Sequence, residues 1–267
     1  MANDQKVTPL DLRAWLELEC LDDFGFEAER WTECDCAREA VIDALGREIL
    51  ESYVDRSYLE HRLRKLGYGR LAEHVRRRIL PPPGNTRTGD FGEVVSTVVL
   101  RRYKGFHVPV LRLRYKDAPG GTQRLIDVVA FKFRDAPDRT VIRVSEVKTR
   151  TGAAVGIAAS AVKQLRESIE DLPLSLTFIE RRLSEDDKHF LADRVLDLLD
   201  EDADYDLQEH VFVVTDEDEV RDETLDRIDD DALGAPELTA SLVLLTDLAQ
   251  LIGAAYESAG ALRDFAS

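Results

Sequence analysis

The sequence predicts a mixed α/β (α+β) fold, a sheet flanked by helices and preceded by an N-terminal helical region. Two observations carry this. Beyond residue 85, strand-like segments alternate with helical ones in the order helix, three strands, helix, then two further strands. Before it, from Pro9 to Leu80, apolar residues recur at helical spacing. Pro81-Pro82-Pro83-Gly84-Asn85 stops regular structure between the two. It divides the chain into a helical region, 1–80, and a sheet-bearing domain, 86–267, with an acidic C-terminal extension.

In the first region Ala37, Val41, Leu45 and Ile49 share one helix face, with Asp35 or Thr32 as the N-cap. A second pattern covers Tyr58 to Leu80 and breaks at Gly67 and Gly69. After the prolines, Phe91, Val94, Val95, Val98 and Val99 line a helix face. Three strands follow. They are Val108 to Tyr115, closed by the turn Ala118-Pro119-Gly120-Gly121; Arg124 to Phe133; and Thr140 to Thr149, reached through Asp135-Ala136-Pro137-Asp138. Gly152 to Glu170 reads as a helix with Ala158, Ala161, Val162, Leu165 and Ile169 inward. Glu185 to Leu199 is a helix, His210 to Thr215 and Leu238 to Leu245 are strands, and Ala249 to Ala261 is a closing helix. Asp216 to Asp231 is a solvated helix or loop.

A hydrophobic content of 44% is enough to bury a core, which excludes a disordered protein. No apolar run is long enough to cross a bilayer, and the first residues lack an apolar signal core. The expectation is a cytoplasmic protein without membrane association. Cys20, Cys34 and Cys36 lack a fourth zinc ligand at suitable spacing, so they read as buried or half-exposed thiols in a reducing compartment, with metal binding the minor alternative. The net charge of −17 argues against a nucleic-acid partner until its distribution is considered. Acids crowd Glu185 to Asp231, whereas Arg62 to Arg78 and Arg101 to Lys116 are basic and offer phosphate a local positive surface. A phosphate-binding Gly-rich loop with Lys-Ser/Thr is lacking, so no nucleotide site is expected. Ser160 and Ser168 lack the Gly-x-Ser-x-Gly setting of a serine hydrolase. The five histidines lack ligand spacing.

Strand side chains alternate between faces. In the third strand Ile142, Val144, Glu146 and Lys148 share a face; in the second, Leu125, Asp127, Val129 and Phe131 do. Asp127 and Glu146 are thus acids on otherwise apolar faces, where an isolated charge is costly. A divalent cation resolves that cost. Asp127 and Glu146 would supply carboxylates and Val147 a carbonyl oxygen to Mg2+, with Mn2+ as the alternative. Lys148 would orient a water or neutralise developing charge.

These residues resemble the PD-(D/E)XK nuclease superfamily, through Ile126-Asp127 for the first half-motif and Glu146-Val147-Lys148 for the second. Ile126 stands where the motif's name has proline. The resemblance implies a restriction-endonuclease-like fold for 86–267, a supporting acid at Glu93 on the preceding helix and a supporting polar residue at Gln164 on the following one. It covers Thr88 to Glu170 and leaves both flanks unexplained. A narrower resemblance runs through Arg124 to Phe131, Ser145 to Lys148 and the tail Leu242 to Asp247, which look like the nuclease subunit of Hachiman-type antiphage systems. That likeness implies a metal-dependent DNase acting with a helicase partner.

Each residue also has a plainer reading. Asp90-Phe91-Gly92-Glu93 fits a capping box with Asp90 as N-cap. Asp127 fits an ion pair with Arg143 or Arg124. Glu146 and Lys148 fit a solvated strand end, and Gln164 an ordinary helix face. Arg76, Arg77 and Arg78 would bind DNA or dock a partner; Thr149 and Arg150 would contact phosphate or begin a loop. The function expected is a metal-dependent DNase of antiphage defence. The rivals are a repair or restriction-type nuclease without a defence partner, and a catalytically silent fold serving assembly.

Overall fold

A computed structural model of the chain describes residues 10–22, 24–116, 125–134, 139–152, 156–219, 223–226 and 237–262. Its six strands are β1 (Leu16–Leu21), β2 (Glu27–Glu33), β3 (Val128–Lys132), β4 (Thr140–Arg150), β5 (Tyr205–Asp216) and β6 (Leu238–Leu245). They form one sheet in the order β1-β2-β6-β5-β4-β3. The four central strands run parallel, and the antiparallel pairs β1–β2 and β3–β4 close the two edges. Val211 to Val214 and Leu242 to Leu245 are continuous apolar runs, as expected where parallel strands are covered on both sides.

The helices are α1 (Arg38–Tyr53), α2 (Arg56–Leu66), α3 (Tyr68–His74), α4 (Asn85–Val98), α5 (Ile157–Ile169), α6 (Leu172–Glu185), α7 (His189–Leu196), α8 (Glu223–Asp226) and α9 (Leu248–Ala261). On one face α1, α4 and α9 pack against Trp31, Val147, Phe212, Val214 and Val243. On the other, α5, α6 and α7 pack against Val129, Phe131, Ile142, Val144, Val213 and Leu242. The expected mixed sheet with helices on both faces is present.

Several local expectations are corrected. The N-terminal region is helical from Arg38, but Leu16–Leu21 and Glu27–Glu33 are strands of the common sheet. Leu-Glu-Leu-Glu-Cys-Leu alternates with period two, and β2 hides its strand character behind four charged residues. One of these, Glu29, is buried and stabilised by distant partners, Lys104 and Ser241. The α1 N-cap is Ala37, without a side-chain cap, because Thr32 belongs to β2.

The strand expected at Val108 to Tyr115 is a strap. His107 alone bridges to Phe131, and Arg112–Tyr115 coil into a 3-10 turn. Helix α4 starts at Asn85, so Asp90 lies inside it and caps nothing. Helix α6 was not anticipated; its Pro173 sits in the first turn, where no N–H is missed. The chain breaks after α6, with Asp187 at φ 57°, so α7 begins at His189 rather than Glu185. The turns expected at 118–121 and 135–138 lie outside the described residues, as does much of 216–231.

A buried polar row crosses the sheet on the α1/α4/α9 face. Ser241 donates to Glu29 Oε2 at 3.3 Å, so its oxygen accepts from His210 Nε2 at 3.0 Å. The same neutral imidazole then accepts from Ser145 through Nδ1, at 2.9 Å. The row therefore has one consistent direction, from Ser145 to Glu29, where Lys104 neutralises the carboxylate. Burial pushes the His210 pKa well below its usual 6.5, and Arg143 and Lys104 add to the effect.

Gly92 sets the approach of α4 to the sheet. A Cβ there would overlap Thr149 Oγ1 and lie 3.0 Å from Val147 Cγ1. Gly92→Ala should therefore destabilise the fold by about 1–3 kcal/mol in denaturant titrations, through overpacking. Thr149 Oγ1 is buried without a hydrogen-bond partner, so adding Thr149→Ala should recover part of the loss. Wild-type stability in Gly92→Ala would show that α4 does not need this approach.

His210 generates a second expectation. A base whose folded pKa lies below its unfolded one contributes stability that is lost as pH falls below 6.5. Glu93, raised to about 7, acts in the opposite sense. The two are separated by comparison with His210→Gln. The stability gap between wild type and variant should narrow from pH 7 to 5, by up to about 1.4 kcal/mol per pH unit. A gap independent of pH would refute the neutral imidazole.

Candidate active site

The site lies where the β3–β4 edge of the sheet meets α4 and α5. Glu93 reaches it from α4, one residue beyond the close approach of Gly92 to Thr149. Asp127 stands immediately before β3, Glu146 and Lys148 lie near the end of β4, and Gln164 comes from α5.

Asp127 Oδ2 accepts the Val147 N–H at 3.0 Å, which ties the first acid to the strand bearing the second. In extended backbone the N–H and C=O of one residue face the same edge, so the Val147 carbonyl also faces the Asp127 side. Lys148 Nζ donates to Glu146 Oε1 at 2.7 Å and to Gln164 Oε1. Among the described residues the cation that pairs with Asp127 is Arg112, not Arg143. Arg143 sits on the opposite face, bonded to Gln208, and Arg124 lies outside the described residues.

Arg112 is the site residue missed in the sequence. Its Nη2 donates to Glu93 Oε1 at 2.5 Å and to Asp127 Oδ1 at 2.7 Å, and Nη1 donates to the Leu125 carbonyl at 3.0 Å. The signal was present in Arg112-Leu113-Arg114-Tyr115-Lys116, where every second residue is basic. Each of the three has a carboxylate partner: Glu93 and Asp127 for Arg112, Asp55 for Arg114 and Asp90 for Lys116. Asp90 also accepts from Tyr53, whose hydroxyl lies 3.2 Å from that of Tyr256.

These contacts set the charge states. Burial pushes Glu93 up to about 7; Arg112 opposes the rise and Asp127 adds to it. Burial also raises Glu146, assisted by the charge of Asp127 and resisted by Lys148. Burial works against charge on Arg112, but Glu93 and Asp127 outweigh it and hold the guanidinium above its usual pKa. Three acids therefore crowd one another, and two cations neutralise them.

Among the described residues, no three His, Cys, Asp or Glu side chains surround a common point fit for a metal ion. The oxygens nearest in kind to what Mg2+ takes are the carboxylates of Asp127 and Glu146 and the Val147 carbonyl. The acid crowding is what a dication would relieve.

Arg76, Arg77 and Arg78 are exposed and sit apart from this cluster. The Arg76 side chain packs over Gly260, and Arg77 pairs with Glu73 at 3.1 Å. Arg150, also exposed, ends β4 two residues beyond Lys148. No helix of the described residues is long and apolar enough to cross a membrane.

Comparison with known proteins places residues 15–259 under a single family model, described as HamA. No curated protein matches the chain.

Proposed function

The chain belongs to the HamA family, the nuclease-like subunit of the Hachiman antiphage system, and from this we propose that it is a metal-dependent DNA nuclease. The family places it in a defence system that has partner proteins. The observation that carries the proposal is the convergence of Asp127, Glu146 and Lys148 on one sheet edge, with Glu93 and Gln164 brought up from the two flanking helices.

Asp127, Glu146 and the Val147 carbonyl would hold Mg2+, or Mn2+ in its place. Bound there, the ion would supply Lewis-acid stabilisation of phosphate charge and a water of lowered pKa. Lys148, aimed by Glu146 and Gln164, stabilises negative charge on the phosphodiester without ligating the ion. The Val147 N–H fixes the Asp127 carboxylate. Arg150 and the exposed Arg76 to Arg78 supply phosphate contacts along the duplex. A helicase-type protein, recognised in part through the acidic surface of the chain, is the partner that would present DNA and restrain the nuclease.

One observation favours a second reading, a catalytically silent assembly subunit. Both oxygens of Asp127 and one of Glu146 already have donors. Magnesium-dependent cleavage of plasmid DNA by the purified chain, with and without the candidate helicase, decides between the two.

Asp127→Asn and Glu146→Gln should each lower the cleavage rate by about 10²-fold or more while the circular dichroism spectrum stays unchanged. Lys148→Met should lower the rate comparably with little change in Mn2+ affinity. Full-rate cleavage by a folded Asp127→Asn or Glu146→Gln chain would refute the site. Replacing Arg76, Arg77 and Arg78 together by Glu should weaken duplex binding and flatten its dependence on salt, by a slope of about 0.9 for each phosphate no longer neutralised. Unchanged affinity across the salt series would assign this patch to protein docking.

A further inference from the structure

The strap between β3 and α4 carries a cation into the acid cluster and is fastened there. Its start is pinned to β3 by the two hydrogen bonds between His107 and Phe131, at 2.7 and 2.8 Å. Farther along, Arg114 donates to the Glu51 carbonyl of α1 at 2.5 Å, and Lys116 to Asp90 of α4 at 2.6 Å. Between the pins, Arg112 presents its guanidinium to Glu93 and Asp127 from a side chain only 13% exposed. Two small clefts, of about 20 Å³ each, open beside it, and Val110, Arg112 and Asp127 line both.

We infer that Arg112 is a built-in competitor of the divalent cation, a tethered positive charge that takes Asp127 and Glu93 in the resting chain. The inference rests on the metal site proposed above. Arg112 donates to Asp127 Oδ1, and Val147 holds Oδ2. A dication held by the same carboxylate would lie close to the guanidinium, in a setting with little water to screen the repulsion. Metal binding therefore requires the guanidinium to withdraw from the carboxylate. Arg114 and Lys116 make withdrawal costly by anchoring the strap beyond Arg112, as His107 anchors it before. Affinity for the ion is thus set by a segment that contributes no ligand, and anything that lifts the strap switches the site on.

The test is Mn2+ titration calorimetry and thermal unfolding of the full chain, freed of metal by a chelator. Arg112→Gln should bind Mn2+ about tenfold tighter than wild type and gain more in Tm when the ion is added. The double variant Arg114→Gln/Lys116→Gln, with Arg112 intact, should move affinity the same way by about threefold or more. It stands in if Arg112→Gln fails to fold without metal. Equal or weaker Mn2+ binding in the folded variants would overturn the inference. Asp127→Asn separates the two levels of the argument. If it abolishes Mn2+ binding while the strap variants bind like wild type, the competition alone is wrong. If it leaves Mn2+ binding unchanged, or if no variant binds Mn2+, the metal site itself is wrong and the competition falls with it.

Discussion

Two carboxylates, Glu93 and Asp127, are drawn largely out of water at one sheet edge, and the Arg112 guanidinium stands between them. Removing one partner of such a buried pair leaves a charge without compensation, at a cost of about 3–5 kcal/mol. Much of the surrounding architecture follows from that constraint. The segment carrying Arg112 cannot lie flat as a sheet strand, because its basic side chains must reach a carbonyl of α1, Asp55 at the start of α2 and acids on α4. Helix α4 must come close enough to bring Glu93 over β4, which excludes a side chain at position 92. Asp127 must stand just outside β3, so that its carboxylate is free to accept both the Val147 N–H and the guanidinium.

Legibility in the sequence followed the range of the interactions. Residues 140–149 read as a strand with Glu146 and Lys148 on one side, because alternation is local, and Lys148 does reach Gln164 across the gap to α5. The central strands β5 and β6 were visible as apolar runs, and α5 and α9 as periodic ones. What stayed hidden depends on partners remote in the chain. Glu29 makes β2 look like a solvated segment until Lys104, 75 residues away, is placed beside it. Arg112 looks like the polar side of a strand until Glu93 and Asp127 are seen to close on it. Asp90 followed three residues later by Glu93 imitates a capping box, but the helix starts five residues before Asp90, and both acids are buried against basic residues of the strap.

The two faces of the sheet have different chemistry. On β4, the side facing α5 is apolar from Ile142 to the Glu146–Lys148 pair. The α1/α4/α9 face carries the row from Ser145 through His210 and Ser241 to Glu29, fully hydrogen-bonded and directional. Such a row contributes less to net stability than to fixing a single register, since shifting any strand by one residue would leave several buried polar groups unmatched. It ties β4, which bears Glu146 on its other side, to β5, β6 and β2.

The strand order has a consequence for how the molecule is made. β6, residues 238–245, lies between β2, residues 27–33, and β5, and among the described residues it joins the two parts of the sheet. Until it has been synthesised and has slotted in, the β1–β2 hairpin has no place to dock, and β5 presents an open edge. Closing so distant a pairing is entropically slow. A nascent chain on the ribosome therefore carries the unfinished edge of β2 until residues 238–245 emerge, and that of β5 from residue 216 until then. Both are surfaces on which a chaperone, or a second nascent copy, can act first.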